Sequence, residues 1–217
     1  MNAFSPNETS VVICCAGMGT RLGIGTTKAL VDICGKPLII RLLEELDIFD
    51  DIRIVAGFEA EKLVTTTKSF RKDIMYVFNY DYETTGTADS LKKGMSYARK
   101  YILSLDGDTL INYDDFKNFF EIEYECLGIS PITSVEPIMA TVKNDTVLNL
   151  SKSQGNMQWS GIAKFVANRL VINSPHVYDN LNEILPLKAR IMRTREIDTQ
   201  EDYEKAIEWF ENGAVDW

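Results

Sequence analysis

Four short apolar runs, rich in β-branched residues, recur through the first half of this 217-residue chain at 11–15, 52–56, 74–78 and 101–105. Continuous apolar character over so few residues marks strands buried on both faces. Helical patterns fill the gaps, over 37–46, 60–70 and 87–99, the first with Pro37 near its opening turn, where a missing N–H is harmless. Strands alternating with helices fold as parallel βαβ units. The expected fold is therefore α/β: a Rossmann-like, mixed but mainly parallel sheet flanked by helices.

From about residue 130 the texture changes to short strand-like pieces at 131–135, 139–142, 147–150 and 159–166, separated by Asn144-Asp145 and Gln154-Gly155-Asn156. They predict a small β extension over about 130–165. The tail returns to a strand over 191–197 and a helix from Thr199, whose Thr-Gln-Glu-Asp opening has the form of a capping box. Without a linker, repeat or low-complexity tract, 1–217 is expected to be a single domain.

A net charge of −9 repels polyanions, so a small ligand is expected rather than nucleic acid. The four cysteines lack CxxC spacing and suit a reducing compartment. No apolar run approaches the roughly 18 residues of a membrane span, and residues 1–10 lack a signal pattern, so a cytoplasmic protein with no membrane partner is expected. The one histidine, His176, sits in a turn-like stretch and is expected to be structural or exposed. Any metal must then rely on carboxylates.

Three motifs carry chemistry. In Ala16-Gly17-Met18-Gly19-Thr20-Arg21-Leu22-Gly23 the glycines let backbone N–H groups approach phosphate oxygens, and Arg21 and Lys28 add positive charge. No Gly-Lys-Ser or Gly-Lys-Thr closes the loop, and its third glycine misses the GxGxxG spacing, which demotes kinase-like and dehydrogenase readings. In Leu105-Asp106-Gly107-Asp108 a buried strand runs into two carboxylates, on the edge where open α/β sheets bind ligands. In Glu196-Ile197-Asp198-Thr199 another strand ends in acid. Asp108 and Asp198 converging on one Mg²⁺, which takes one or two carboxylates plus phosphate and water, would make a site for attack on a nucleotide phosphorus.

Ala16 to Arg21, Lys28-Ala29-Leu30 and Gly35-Lys36-Pro37-Leu38-Ile39 resemble the opening of the sugar-phosphate nucleotidyltransferase superfamily, whose fold is nucleotidyltransferase or GT-A-like. Asn79-Tyr80-Asp81-Tyr82, Ser90-Leu91, the Asp106-Gly107-Asp108 motif, Trp159-Ser160-Gly161 and residues 196–203 are similar to bacterial phosphocholine cytidylyltransferases. The resemblance runs from about 11 to 210. It implies that an NTP, with CTP favoured over UTP, reacts with a phosphorylated small molecule such as a sugar phosphate or phosphocholine to release pyrophosphate. Mg²⁺ would sit on Asp108 and Asp198, with Arg21 and Lys28 as catalytic cations on the triphosphate. Ala16, Gly17, Met18, Gly19 and Thr20 would cradle the nucleotide. Asn79, Gly86, Thr87 and Ser90 would face base and ribose, and Asp106 would order the metal or a ribose hydroxyl.

One departure is plain: the family usually places proline before the lysine, and here Thr27 precedes Lys28. A more mobile connection is expected without proline's fixed φ. Acceptor specificity is expected within 134–159. Trp159, Trp209, Trp217, Tyr80, Tyr82 and Tyr124 are candidates for an aromatic cage around an ammonium, and Lys143, Lys152 and Lys164 for an acceptor phosphate. Two alternatives stay open: a glycosyltransferase using Asp106-Gly107-Asp108 with a nucleotide sugar, and a non-catalytic nucleotide-binding regulator. A homo-oligomer is equally open.

Overall fold

The computed structural model describes residues 4–214, and the Trp217 candidate lies outside the described residues. Strand β1 (Thr9–Cys15) leads into the glycine loop, which returns through a hairpin of β2 (Asp32–Ile33) and β3 (Lys36–Pro37) to α1 (Leu38–Glu44). Next come β4 (Ile52–Ala56), α2 (Ala60–Phe70), β5 (Ile74–Phe78), α3 (Thr87–Gly94) and β6 (Tyr101–Asp106). These strands lie side by side in the order β5-β4-β1-β6, all parallel, as the alternating pattern predicts.

Strands β1, β4 and β6 of this half are buried on both faces, as the apolar runs imply, while the edge strand β5 leaves Met75 and Phe78 exposed. Val11 and Ile13 pack on one face with Ile39 and Leu43 of α1, while Val12 and Val55 pack on the other with Leu91 of α3. Register places Cys14 opposite both Val55 and Asp106, so the glycine loop and the Asp106-Gly107-Asp108 turn leave the sheet at one edge.

The second half continues with β7 (Thr109–Ile111), α4 (Tyr113–Phe120), β8 (Cys126–Ser130), β9 (Met139–Lys143), β10 (Thr146–Ser151) and β11 (Met157–Val166), followed by α5 (Val177–Asn182), β12 (Leu187–Ile191), β13 (Thr194–Glu196) and α6 (Gln200–Glu211). The sheet extends past β6 as β11-β8-β12-β10-β9, mostly antiparallel, and β9 returns to pair with β11. These five strands therefore close a ring. Strand β11 belongs to both halves: residues 162–166 pair with β6, and 157–158 pair with β9. Gly161, at φ +74, sits where the strand passes from one partner to the other.

Three expectations need correction. Residues 131–135 form no strand, because the N–H groups of Thr133 and Ser134 donate to the buried Gln158 side chain instead of to a neighbouring strand. The strand lies just before, as β8. The run 191–197 splits into β12 and β13, which belong to different sheets, since Arg193 between them turns its N–H and guanidinium to Asp115. Helix α3 ends at Gly94, short of residue 99; Gly94 backs onto β1 so closely that a Cβ would lie 2.4 Å from Val12 Cγ1. Thr199 caps α6, and a reciprocal bond from Asp202 completes the capping box. Among the described residues no helix is long and apolar enough to cross a membrane.

Candidate active site

The glycine loop turns at Gly19, where φ is +60 and the Leu22 N–H returns to the Gly19 carbonyl at 3.1 Å. At Gly17 a Cβ would meet nothing within 4 Å, so the backbone there faces open space. Leu22 and Val31 anchor the loop in a separate apolar cluster with Ile197, Ala206 and Trp209 beneath α6. That cluster explains how distant motifs meet. Strand β13 pairs with β7, Glu196 opposite Thr109, and the Ile197 N–H bonds the Asp108 carbonyl at 2.9 Å. Asp198 is thereby carried to Asp108.

Between those two carboxylates sits the Lys28 ammonium, 2.8 Å from Asp108 Oδ2 and hydrogen-bonded to Asp198 Oδ1. Arg21 pairs with the other oxygen of Asp198 and, at 2.6 Å, with Glu136. Burial works against the Lys28 charge, yet Asp108 and then Asp198 outweigh it and hold its pKa above the ordinary lysine value. The reverse holds for two neighbouring acids. Burial, then repulsion from Asp108, pushes Asp106 well above the usual carboxylate range, and the same two causes raise Glu196 to about 7. The site thus gathers the carboxylates of Asp106, Asp108, Glu196 and Asp198 around Lys28 and Arg21, and the raised values of Asp106 and Glu196 favour their neutral forms. Among the described residues no three His, Cys, Asp or Glu side chains are arranged to hold a metal by themselves.

The cluster lies at the junction of two adjoining chambers. The first, about 310 Å³, is lined by the loop backbone at Ala16, Gly17, Gly19 and Thr20, and by Lys28, Asn79, Tyr82, Gly86, Thr87 and Ser90. The second, about 640 Å³, is walled by Val135 to Ile138, Lys152, Trp159, His176 and Tyr178. Arg21, Thr87, Asp106, Glu196 and Asp198 line both.

Most residues singled out from the sequence meet here, and the exceptions are instructive. Met18 is 37% exposed and is not among the residues that line the chamber. Asn79 is buried with its amide fully engaged: it donates to Thr85 and Ser90 Oγ atoms and accepts from Lys93 and the Asp81 N–H. It lines the first chamber while its amide organises the 85–90 segment. Lys164 is a correction. It lines neither chamber, and its buried ammonium donates to the carbonyls of Phe119, Phe120 and Ile122 at the end of α4, where a cation satisfies the helix's last acceptors. Lys143 is exposed at the end of β9 and lines neither chamber.

The aromatic cage is not assembled. Trp159 is 7% exposed, its indole N–H donating to the Ile162 carbonyl, and it offers the second chamber only part of its surface. Trp209 is buried under α6, Tyr80 stacks on Phe78, and Tyr82 lines the first chamber. Tyr124 is exposed and lines neither chamber.

Glu136 and Tyr178 carry no signal in the sequence, and Glu196 entered only as part of the Glu196-Ile197-Asp198-Thr199 motif, without a role of its own. His176, expected to be structural or exposed, is exposed and stacks on Tyr178 in the second chamber wall. Its neighbour Pro175 packs so tightly on Gly86 that a Cβ there would lie 1.9 Å from the Pro175 carbonyl oxygen, a signal that only folded coordinates reveal. Thr27 corrects the expectation of a loose connection: it is 1% exposed, and its N–H donates to Glu59 Oε2 at 2.9 Å.

The bifunctional protein GlmU of a Nitratiruptor species is 32% identical over 143 residues, 64% of this chain but 33% of that protein. GlmU of Campylobacter curvus is 31% identical over 111 residues, 50% of this chain and 25% of its own length. The chain thus spans a quarter to a third of these curated relatives. Among solved structures, CTP:phosphocholine cytidylyltransferase from Streptococcus pneumoniae has a TM-score of 0.77 at 22% identity, covering 94% of this chain and 99% of that one. Inositol-1-phosphate CTP transferase from T. maritima has a TM-score of 0.78 at 17% identity, covering 96% and 98%. These similarities establish the nucleotidyltransferase fold. The profile of the MobA-like NTP transferase domain matches residues 11–125, more than half the chain, and the protein belongs to that family.

Proposed function

We propose that this protein transfers the nucleotidyl group of an NTP to the phosphate of a small phosphorylated metabolite and releases pyrophosphate. The observation that carries this reading is the pair of adjoining chambers sharing Arg21, Thr87, Asp106, Glu196 and Asp198, with Lys28 between Asp108 and Asp198 at their junction. One chamber offers loop amides for a triphosphate. The other offers room for an acceptor whose phosphate reaches the same charged junction.

In this reading the amides of Gly17 to Thr20 orient the triphosphate, and Lys28 and Arg21 stabilise the charge that develops on the leaving pyrophosphate. Asn79 holds the 85–90 segment against the base. The donor set fits Mg²⁺: two carboxylates already share one cation, the Lys28 ammonium, and a hard ion with few protein ligands completes its shell with phosphate and water. Asp108 and Asp198 would hold it, and when bound it supplies Lewis-acid neutralisation of the triphosphate.

We read the ring of strands as the acceptor side of a single nucleotidyltransferase domain acting on soluble cytoplasmic metabolites. Two of the similar structures are named as CTP-using transferases, of phosphocholine and of inositol 1-phosphate, which makes CTP the first nucleotide to test and UTP the next. The assay is pyrophosphate release with each NTP, Mg²⁺ and a panel of sugar phosphates, phosphocholine and polyol phosphates. Silence in every combination overturns the reading.

A further inference from the structure

Residues 16–27 form a long glycine-containing loop whose two ends must be fixed if Lys28 is to meet a triphosphate reproducibly. The turn between β4 and α2 touches both ends. At the first, the Phe58 N–H donates to the Ala16 carbonyl at 3.0 Å, and Gly57 approaches so closely that a Cβ would lie 2.7 Å from that oxygen. At the second, Glu59 Oε2 accepts from the Thr27 N–H at 2.9 Å and from the Thr26 hydroxyl at 2.5 Å, while Lys62 Nζ reaches Thr26 Oγ1 at 3.0 Å.

Two further features mark this contact as built. Glu59 has φ +50 and ψ +33, a left-handed conformation that a glutamate rarely adopts, so the fold holds it against its own backbone preference. Thr27 has φ −60, the value that a proline ring would impose, and it is almost completely buried. Here an N–H bond to a carboxylate supplies the restraint that a ring would supply covalently.

We infer that Glu59 is a positioning residue for nucleotidyl transfer, fixing Thr26-Thr27 so that the next residue, Lys28, enters the site from a rigid stem. This rests on the reading of Lys28 as a triphosphate-binding cation. Glu59 lines neither chamber and acts through the loop alone.

The test compares wild type with Glu59→Ala, Glu59→Gln, and Glu59→Ala combined with Thr27→Pro. Amide hydrogen exchange over 26–28 is followed in the nucleotide-free protein, and kcat and KM for the NTP are measured by pyrophosphate release. Glu59→Ala is expected to speed Thr27 exchange about tenfold or more. It should lower kcat about 10- to 100-fold, with a smaller change in KM, as small misplacements of a charge-stabilising group do. Glu59→Gln, which keeps an acceptor oxygen, should lose less than about threefold, and Thr27→Pro in the alanine background should recover about tenfold by fixing φ.

Wild-type turnover in Glu59→Ala overturns the inference. So does an equal loss in Glu59→Gln, or a folded double variant that recovers nothing; if the double variant does not fold, the contrast between alanine and glutamine decides. Should wild type turn over no NTP at all, the proposed function fails, and unchanged Thr27 exchange in Glu59→Ala would separately overturn the brace.

Discussion

In the parallel half of the sheet, β1 and β6 run side by side with Cys14 opposite Asp106, and chemistry leaves directly from the strand ends. In the ring half, the cleft wall is made by the 135–138 segment and part of Trp159, and the residues just before that segment, Thr133 and Ser134, are held by a side chain, Gln158, in place of a strand partner. The first arrangement is set by local sequence: a strand, a glycine turn, an acid. The second depends on pairings between segments far apart in the chain. On the proposed reading, charge handling is built mainly into the strand-end turns and acceptor recognition into this wall, with Glu136 of the wall tied to Arg21.

Asp108→Ala should separate the halves most sharply. Turnover is expected to fall about a thousandfold, about 4 kcal/mol of transition-state stabilisation, while the metal-free Tm moves little because Lys28 keeps Asp198 as a partner. Steady-state pyrophosphate release and a melting curve on the same preparation check both parts. A large drop in Tm with modest loss of rate would place Asp108 in the scaffold.

Gly86→Ala probes the seam where the nucleotide chamber leans on the acceptor wall. Its new Cβ must displace the Pro175 carbonyl, 1.9 Å away, and overpacking of this kind costs about 1–3 kcal/mol. Unfolding stability should drop by that amount and the KM for both substrates should rise. A change in the KM of one substrate alone would show that the chambers are independent.

Lys164→Met tests the opposite case, a ring-half cation with no part in the cleft. Removing the ammonium leaves the carbonyls of Phe119, Phe120 and Ile122 without that donor, a loss of about 2 kcal/mol, with kcat and KM unchanged. Burial pulls Lys164 to about 8 from the ordinary 10.5. Between those pH values the unfolded chain binds more protons than the folded one, so stability rises with pH there. Denaturant unfolding from pH 7 to 10.5 should show wild type gaining on the methionine variant. A constant difference would mean that the folded lysine titrates normally.

The smallest effect is expected from His176→Ala, which opens the acceptor wall. The KM for the acceptor should rise by about threefold to tenfold, roughly 1 kcal/mol, with the KM for NTP unchanged. Equal changes in both would remove the distinction between the two chambers.

Legibility followed the same division. Ile52–Ala56, Ile74–Phe78 and Ala60–Phe70 were readable to the residue, because short β-branched and apolar runs mark strands even where, as in β5, the strand lies at the edge with Met75 and Phe78 exposed, and one-sided burial writes a helical period. Lys28, Asp108 and Asp198 were readable as charges beyond strand ends. Strand β8 was not, since Cys126-Leu127-Gly128-Ile129-Ser130 looks no more strand-like than the β-branched stretch after it, and only pairing with β11 and β12 selects it. Lys164 misled for a related reason. A lysine inside a strand that is otherwise buried signals a nearby backbone needing a donor, and the sequence alone does not say that this backbone is the end of α4.

The shared salt bridges of Arg21, Lys28, Asp108 and Asp198 have a thermodynamic consequence for how a nucleotide arrives. An open cationic pocket binds a polyanion through net charge, and salt weakens it steeply. Here each cation already holds an internal counter-ion, so a triphosphate accompanied by a divalent ion enters by double exchange: its oxygens take over the cations, and its metal takes over the acids. Affinity for the nucleotide should then vary weakly with sodium chloride and strongly with free divalent ion, and the protein should discriminate against bare polyphosphate.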